Sequence, residues 1–282
     1  MAISQVFVIG AGTMGNGIAQ TAAVSGFQVT MMDVIPDALK RGQAAIAKSV
    51  EKLVEKGKLN PQQKEAALGI ATASDLKSMA KADLVIEAAT ENPELKFKLF
   101  KDLDNLAKPG VILASNTSSI SLTKLAAATQ RPDKVVGMHF FNPVPLISLL
   151  EVVRGLATSD ETVKTALEVG QQMGKTPVVV QDSPGFVSNR ILCPMLNEAI
   201  YALEEGVAEP EGIDTVMKLG MNHPMGPLAL CDLIGLDVVL YVMEVLQRDF
   251  GDDKYRPAPL LRRMVDAGYL GRKSGKGFFE YK

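Results

Sequence analysis

The chain has no tryptophan and only two cysteines and two histidines among its 282 residues. Cys193 and Cys231 are too few to cross-link a chain of this length, and their spacing matches no zinc-binding motif. Because only His139 and His223 accompany them, we predict that the protein has no structural metal site. Both cysteines are expected to be buried and reduced, as in a protein of the cytoplasm.

Other absences narrow the class of protein further. No apolar run approaches the roughly 18–20 residues that span a bilayer, so we predict no membrane partner. No Lys or Arg precedes Lys40, which disfavours a secretory signal and an Arg-rich transit peptide. Lys plus Arg number 30 against 32 Asp plus Glu, a net charge of −2, so an overall basic surface for nucleic acid is missing. We therefore predict a cytoplasmic protein without a nucleic-acid partner.

The order of apolar segments predicts the fold class. Hydrophobic residues make up 47% of the chain and charged residues 22%, as in ordinary globular proteins. Short apolar runs alternate with longer amphipathic stretches up to residues 182–185, which predicts a mostly parallel sheet with helices on both faces. Beyond that point the periodicity is helical, and its longest run is 227–250. We predict a Rossmann-type α/β domain over 1–183 and an all-α domain over 184–282.

A glycine-rich motif follows the first apolar run. Residues 10–15 match G-x-G-x-x-G, open a predicted helix and precede an acidic residue, Asp33, at the end of the next strand, near the expected spacing of about 20 residues. This context predicts a dinucleotide site, in which the helix N-terminus offers N–H groups to the pyrophosphate. The residues expected to contact the cofactor are Gly10, Gly12, Thr13, Met14, Gly15 and Asp33.

The identity of the dinucleotide follows from Asp33 and from chain length. The Asp33 carboxylate can accept hydrogen bonds from ribose hydroxyls and would repel a 2′-phosphate, so we predict NAD rather than NADP. FAD fits the same motif, but a chain this short leaves little room for a typical flavin fold. A purely structural glycine turn is the remaining alternative.

His139 is a candidate proton-transfer residue because it ends an apolar run. Residues 140–143, Phe-Phe-Asn-Pro, follow it and close the strand. The carboxyl ends of parallel strands line ligand crevices, where an imidazole can act as general acid or base. From position alone, a core histidine is an equally good interpretation. His223, in the helical half, is expected to have a structural role.

The whole chain resembles the short-chain L-3-hydroxyacyl-CoA dehydrogenases, and most closely the bacterial members that act on 3-hydroxybutyryl-CoA. The segments that carry the resemblance are 10–15, 115–119, 137–143, 183–190, 226–228, 232–237 and 271–278. The resemblance implies an NAD-dependent oxidoreductase that moves a hydride to or from C3 of a short-chain (S)-3-hydroxyacyl-CoA. It also implies a homodimer, to which some of the wide apolar helix faces would contribute.

The same resemblance implies roles for individual residues. His139 matches the catalytic acid/base and Glu151 the carboxylate that pairs with it, while Ser118 and Asn189 match the residues that bind the substrate oxygen. Ser118 is also expected near the cofactor. The other residues expected at the nicotinamide and its ribose are Glu91, Lys96 and Asn142.

A basic stripe is expected to meet the coenzyme A carrier. Lys48, Lys52 and Lys56 recur at every fourth position of the predicted helix 36–57 and so share one face. A solvated helix face is the commoner interpretation of such a stripe. The resemblance implies that Ser49 and Lys56 contact the adenosine end of coenzyme A, and we add Lys52 as a third substrate-binding residue.

Three other functions are compatible with parts of the sequence. Tyr269 and Lys273 form a Tyr-x-x-x-Lys pattern of the short-chain dehydrogenase/reductase type, but they lie far outside the Rossmann half. A dehydrogenase of a free hydroxy acid or sugar acid would share the overall build. A non-catalytic NAD-binding protein could keep residues 10–15 and Asp33 while dispensing with His139.

Overall fold

Eight strands form one sheet in the computed structural model, which describes residues 3–281. They are β1 Gln5–Ile9, β2 Gln28–Met32, β3 Ala71–Ala73, β4 Leu84–Glu87, β5 Ile112–Ser115, β6 Val135–Phe140, β7 Leu149–Arg154 and β8 Thr176–Gln181. Their order across the sheet is β3-β2-β1-β4-β5-β6-β7-β8. All neighbours are parallel except β6 and β7, which are antiparallel. The predicted mostly parallel sheet is confirmed.

The chain order reverses beside β1. From β1 the chain builds β2 and β3 on one side, then crosses to β4 and continues outward on the other side. At such a switch point the two connections leave in opposite directions, which opens a crevice at the carboxyl ends of β1 and β4. β4 and β5 are buried along their whole length, as expected for central strands with both faces covered.

The helices of this first unit follow the strands. They are α1 Thr13–Val24, α2 Pro36–Glu55, α3 Pro61–Leu68, α4 Pro93–Leu106, α5 Leu122–Ala127 and α6 Asp160–Gln172. Neither α3 nor β3 was predicted from the sequence. α3 begins with a reciprocal capping box between Asn60 and Gln63 but has only one buried residue, and β3 has no buried residue. Neither element therefore shows the apolar pattern on which the prediction depended.

Contacts along the chain divide it into two compact units, of which the first ends at Asp182 and the second begins at Ser183. The second unit is helical, which confirms that part of the predicted fold class. Its helices are α7 Ser188–Glu204, α8 Pro210–Gly220, α9 Pro227–Ile234, α10 Leu236–Phe250 and α11 Pro259–Asp266. None of the helices within residues 3–281 combines the length and apolar character needed to cross a membrane.

The helical run predicted over 227–250 is divided between two helices. Gly235 has a φ of +104° and separates α9 from α10. This backbone angle lies outside the helical region and suits glycine. The apolar periodicity continues across the break because both helices bury residues in one hydrophobic cluster, including Leu228 and Val239.

A buried aspartate fixes the carboxyl-terminal segment of the second unit. The Asp232 side chain accepts hydrogen bonds from the Phe278 and Phe279 N–H groups and from the Tyr281 hydroxyl, each at 2.9 Å. A Cβ atom on Gly277 would lie only 2.0 Å from Asp232 Oδ1. The glycine at position 277 is therefore explained by packing against the Asp232 carboxylate.

We predict that Gly277→Ala destabilises the protein, because the added methyl group must displace Asp232 from its donors. The loss in the free energy of unfolding should be about 2 kcal/mol or more, as for other disrupted buried hydrogen-bond networks. Urea denaturation measures it. Gly220→Ala is the matched control, since no atom of the described residues lies within 4 Å of a Cβ at Gly220. Equal stability of the two variants would contradict this explanation.

Candidate active site

The three glycines of the motif serve different purposes. Gly10 has a φ of +98°, and a Cβ there would lie 2.5 Å from the Ala88 carbonyl oxygen beyond β4. A Cβ on Gly15 would lie 1.8 Å from the Gly10 carbonyl oxygen. A Cβ on Gly12, in contrast, would meet no atom of residues 3–281 within 4 Å. Packing within the protein requires Gly10 and Gly15, whereas Gly12 borders open space in which a pyrophosphate fits.

The start of α1 and Asp33 complete this cradle. Gly12 is the N-cap of α1, so Thr13 and Met14 stand in the first turn, where backbone N–H groups have no partner within the helix. The Asp33 carboxylate follows β2 and accepts the Ala11 and Ile35 N–H groups, each at 2.9 Å, through separate oxygens. Each oxygen keeps a second lone pair for a ribose hydroxyl. These residues fit NAD.

We predict that Gly12→Ala weakens NADH binding at least about tenfold, a loss of 1.4 kcal/mol. The methyl group would occupy the space that the pyrophosphate needs, while the free energy of unfolding should change by about 1 kcal/mol at most. Nucleotide fluorescence measures the affinity and urea denaturation the stability. Gly15→Ala is the contrasting variant and should be strongly destabilised. Unchanged NADH affinity in Gly12→Ala would refute the proposed position of the pyrophosphate.

His139 and Glu151 face each other across the antiparallel strand pair. The register of β6 and β7 places these two residues directly opposite, so their side chains emerge on the same face. His139 Nδ1 lies 2.7 Å from Glu151 Oε2, and both side chains are buried. An ionised carboxylate can only accept, so the ring proton belongs on Nδ1 and the lone pair of the neutral imidazole on Nε2. The pair therefore fixes one tautomer.

A buried lysine supports the connection between these two strands. Lys175 Nζ donates to the carbonyl of Val144 and, at 2.8 Å, to that of Ile147. The connection also carries Asn142, which is exposed. Burial lowers the pKa of Lys175. The sequence offered no signal for Lys175, because its donors bind backbone oxygens and leave no side-chain pattern.

Glu91 gathers the segment that follows β5. Its Oε1 accepts from the Thr117 hydroxyl at 2.5 Å and from the Ser118 and Ser119 N–H groups at 2.9 and 3.2 Å. Burial alone would raise the pKa of Glu91, but the Lys96 charge and these hydrogen bonds outweigh it and lower the pKa. Glu91 is thus held as a carboxylate beside Ser118. The structure brings together Glu91, Lys96 and Ser118, as the sequence analysis expected of neighbours at one site.

Two further residues escaped the sequence analysis. Asn116 Oδ1 accepts the Phe140 N–H at 2.9 Å, which ties the segment of Ser118 to the strand end that carries His139. Glu87, the last residue of β4, is completely buried and its Oε1 lies 2.6 Å from Lys96 Nζ. The available signal was an acidic residue inside an otherwise apolar run.

The remaining expected residues lie in α7 and α2. Asn189 belongs to the first turn of α7 and donates its backbone N–H to the Gly185 carbonyl at 3.0 Å. Lys48 and Lys52 are exposed on α2, Lys56 caps its carboxyl end, and Ser49 is half-buried. Within residues 3–281, no ion pair engages any of the three lysines. Their charges are therefore not neutralised by a carboxylate of the described chain.

Comparisons with known proteins cover almost the whole chain. Residues 5–183 match the family described as 3-hydroxyacyl-CoA dehydrogenase, NAD binding domain, and residues 185–281 match its C-terminal domain. The chain is 59% identical to a probable 3-hydroxybutyryl-CoA dehydrogenase of Deinococcus radiodurans, over 97% of this chain and 99% of that protein. It is 55% identical to a probable 3-hydroxybutyryl-CoA dehydrogenase of Bacillus subtilis, over 100% and 99%. The crystal structure of an (S)-3-hydroxybutyryl-CoA dehydrogenase from Ralstonia eutropha superposes with a TM-score of 0.96 at 55% identity, covering 100% of both chains.

Proposed function

Because the chain belongs to the 3-hydroxyacyl-CoA dehydrogenase family, we propose that it interconverts a short-chain (S)-3-hydroxyacyl-CoA and its 3-ketoacyl-CoA. The expected pair is 3-hydroxybutyryl-CoA and acetoacetyl-CoA, the substrate class in the names of the similar proteins. The observation that carries the proposal is the buried His139–Glu151 pair on a chain that matches this family from one end to the other.

His139 is the proposed acid/base. During oxidation Nε2 takes the proton of the 3-hydroxyl group as the C3–H bond breaks and the C3–O bond becomes a carbonyl. NAD, when bound, accepts the hydride that leaves C3. During reduction the imidazolium returns its proton to the oxygen. The Glu151 carboxylate holds the ring in orientation through Nδ1 and stabilises its protonated form.

The substrate oxygen needs donors where negative charge develops. Ser118 supports this role because Glu91 and Asn116 hold its segment near the strand end of His139. Asn189 is proposed for the same oxygen on the family resemblance alone. Such donors stabilise the transition state more than the ground state. The proposed cofactor contacts are Gly10, Gly12, Thr13, Met14, Gly15, Asp33, Glu91, Lys96, Ser118 and Asn142.

We predict that His139→Gln lowers kcat by about 10²- to 10⁴-fold, the usual contribution of a general acid/base. NADH affinity should stay unchanged, because the variant alters proton transfer and not the cofactor cradle. Steady-state NADH oxidation with acetoacetyl-CoA measures this effect. His223→Gln is the matched control and should keep full activity. Near-normal turnover in His139→Gln would remove His139 from the mechanism.

The substrate class is tested by comparing a coenzyme A thioester with the corresponding free acid. Ser49 and Lys56 are proposed to bind coenzyme A on the family resemblance, and Lys52 is added because an acidic protein needs a local cationic surface for the phosphates of coenzyme A. We predict fast NADH oxidation with acetoacetyl-CoA and little with free acetoacetate or with NADPH in place of NADH. Comparable rates on the free acid would instead favour a hydroxy-acid dehydrogenase.

The proposed role of the α2 lysines in binding coenzyme A is tested by removing their charges. The double variant Lys52→Ala, Lys56→Ala should raise KM for acetoacetyl-CoA more than it lowers kcat, and most strongly at low ionic strength. Lys77→Ala, Lys164→Ala removes the same charge from exposed positions elsewhere and should leave KM unchanged. If both double variants behave alike, α2 does not bind the carrier.

Assembly and location complete the proposal. We propose that the protein is a homodimer in the cytoplasm, with residues 1–183 as the cofactor domain and 184–282 as the substrate and dimerisation domain. Exposed apolar side chains on α8, Val216 and Leu219, support a buried role in an assembly. These assignments stay predictions.

A further inference from the structure

We propose that Glu87 is a positioning residue for the cofactor site: it fixes the Lys96 ammonium and thereby leaves Glu91 able to bind the nicotinamide ribose. This inference rests on the proposed cofactor contacts of Glu91 and Lys96. Glu87 lies outside the residues that the sequence analysis assigned to the cofactor.

Glu87 occupies the centre of the sheet at its carboxyl edge. It ends β4, where its register partners are Ile9 of β1 and Ser115 of β5. The switch point of the sheet lies between β1 and β4. Gly10, the first glycine of the cofactor cradle, immediately follows Ile9. Glu87 therefore stands at the floor of the crevice in which the dinucleotide is proposed to lie.

The Glu87 carboxylate accepts three hydrogen bonds within residues 3–281. Its Oε1 accepts from Lys96 Nζ at 2.6 Å and from the Ala89 N–H at 2.7 Å, and its Oε2 accepts from the Ser115 hydroxyl at 2.6 Å. The side chain has no exposed surface. A carboxylate buried to this degree requires such compensation, since an unpaired buried charge would be strongly destabilising. The group is a fixed anion.

Lys96 depends on that anion. Its side chain is only 2% exposed, and its ammonium contacts Glu87 at 2.6 Å, Glu91 Oε2 at 3.3 Å and the Ala89 carbonyl at 3.5 Å. The short bond to Glu87 places the ammonium, while the other two contacts are long. The contact with the Ala89 carbonyl is the weakest of the three and the one that a ribose hydroxyl can replace.

The distances assign different roles to the carboxylates of Glu87 and Glu91. Glu91 is 28% exposed at its side chain, so it is the member of the trio that a cofactor can reach. Among the described residues, Glu91 Oε2 has only the long contact with Lys96, whereas Oε1 already accepts hydrogen bonds from residues 117–119. If Glu87 lost its charge, the Lys96 ammonium would move toward Glu91 Oε2 and occupy the oxygen needed by the ribose.

A double-mutant cycle tests whether Glu87 acts through Lys96. Glu87→Gln keeps the shape of the side chain and an acceptor for Lys96 but removes the charge. We expect this variant to raise the Kd for NADH about tenfold, equivalent to 1.4 kcal/mol. In the Lys96→Met background, Glu87→Gln should change the Kd for NADH by less than about twofold, because the ammonium group that Glu87 positions is absent. Nucleotide fluorescence without acyl-CoA gives all four affinities.

Steady-state kinetics distinguish a role of Glu87 in cofactor binding from a general loss of enzyme activity. At saturating NADH, Glu87→Gln should retain kcat within about threefold and show its defect in KM for NADH, since Glu87 does not touch the reacting atoms. Asp83→Asn is the matched control. That carboxylate precedes β4, binds Lys108 at 2.9 Å and should lower stability without changing the Kd for NADH.

Two results would overturn the inference. The first is an unchanged Kd for NADH in Glu87→Gln. The second is that Glu87→Gln raises the Kd by the same factor in the wild-type and Lys96→Met backgrounds, as expected if Glu87 only joined neighbouring strands. If Glu87→Gln does not fold, Glu87→Asp serves instead, because its shorter side chain withdraws the carboxylate from the Lys96 ammonium. It should raise the Kd for NADH about two- to fivefold, and an unchanged Kd would overturn the inference. Wild-type activity on acetoacetyl-CoA is measured separately, so failure of the substrate assignment leaves this result interpretable.

Discussion

The common edge at which neighbouring parallel strands end is the constraint on which the candidate site depends. β2, β1, β4, β5 and β6 are parallel neighbours, so the residues at their carboxyl ends are collected along one side of the sheet. Asp33 follows β2, Gly10 follows β1, and Glu87 and Ser115 end β4 and β5. Residues far apart in the sequence thereby become neighbours without any long loop. The cofactor cradle and the buried carboxylates follow from this alignment.

The antiparallel strand β7 places a carboxylate directly opposite the imidazole of β6, which a purely parallel edge does not do. Because β7 runs antiparallel to β6, Glu151 lies opposite His139 although the two residues belong to different strands. Paired residues in an antiparallel ladder have their side chains on the same face, at hydrogen-bonding range for these two groups. A short connection suffices, and Lys175 holds two of its carbonyls. The position of the proposed catalytic pair is thus defined by strand register, which is more rigid than a loop.

Burial at this edge demands that charges come in compensated groups. Glu87, Lys96 and Glu91 form one such group, and His139 with Glu151 forms another. Buried ion pairs contribute little net stability, because desolvation cancels much of their attraction. Removing one member is costly, however, because it leaves the other unpaired. Such groups are therefore better understood as devices that hold side chains in one position than as sources of stability.

The sequence was sufficient for features that depend on local pattern. Alternating runs predicted the fold class, and the strand–glycine–helix context of residues 10–15 predicted the cradle. Glu87 was missed because the sequence does not show whether an acid at the end of a strand is exposed or, as here, buried against a lysine from the following helix. Among the described residues, Lys175 donates only to backbone oxygens, and Asp232 accepts from donors that lie 46 to 49 positions later in the chain. Pairings of this kind arise from tertiary contact, so no local periodicity contains them.

The glycines show how far a motif can be interpreted once the packing is known. Gly10, Gly15 and Gly277 are each opposed by an atom of the protein itself, so their absence of a side chain is a requirement of folding. Of the three motif glycines, Gly12 alone borders space that is left open by the part of the chain that the structure describes. A G-x-G-x-x-G match alone is therefore stronger evidence for tight packing of a strand against a helix than for a bound ligand. The evidence for a dinucleotide lies in the middle glycine, together with the helix N-terminus and the carboxylate of Asp33 beside it.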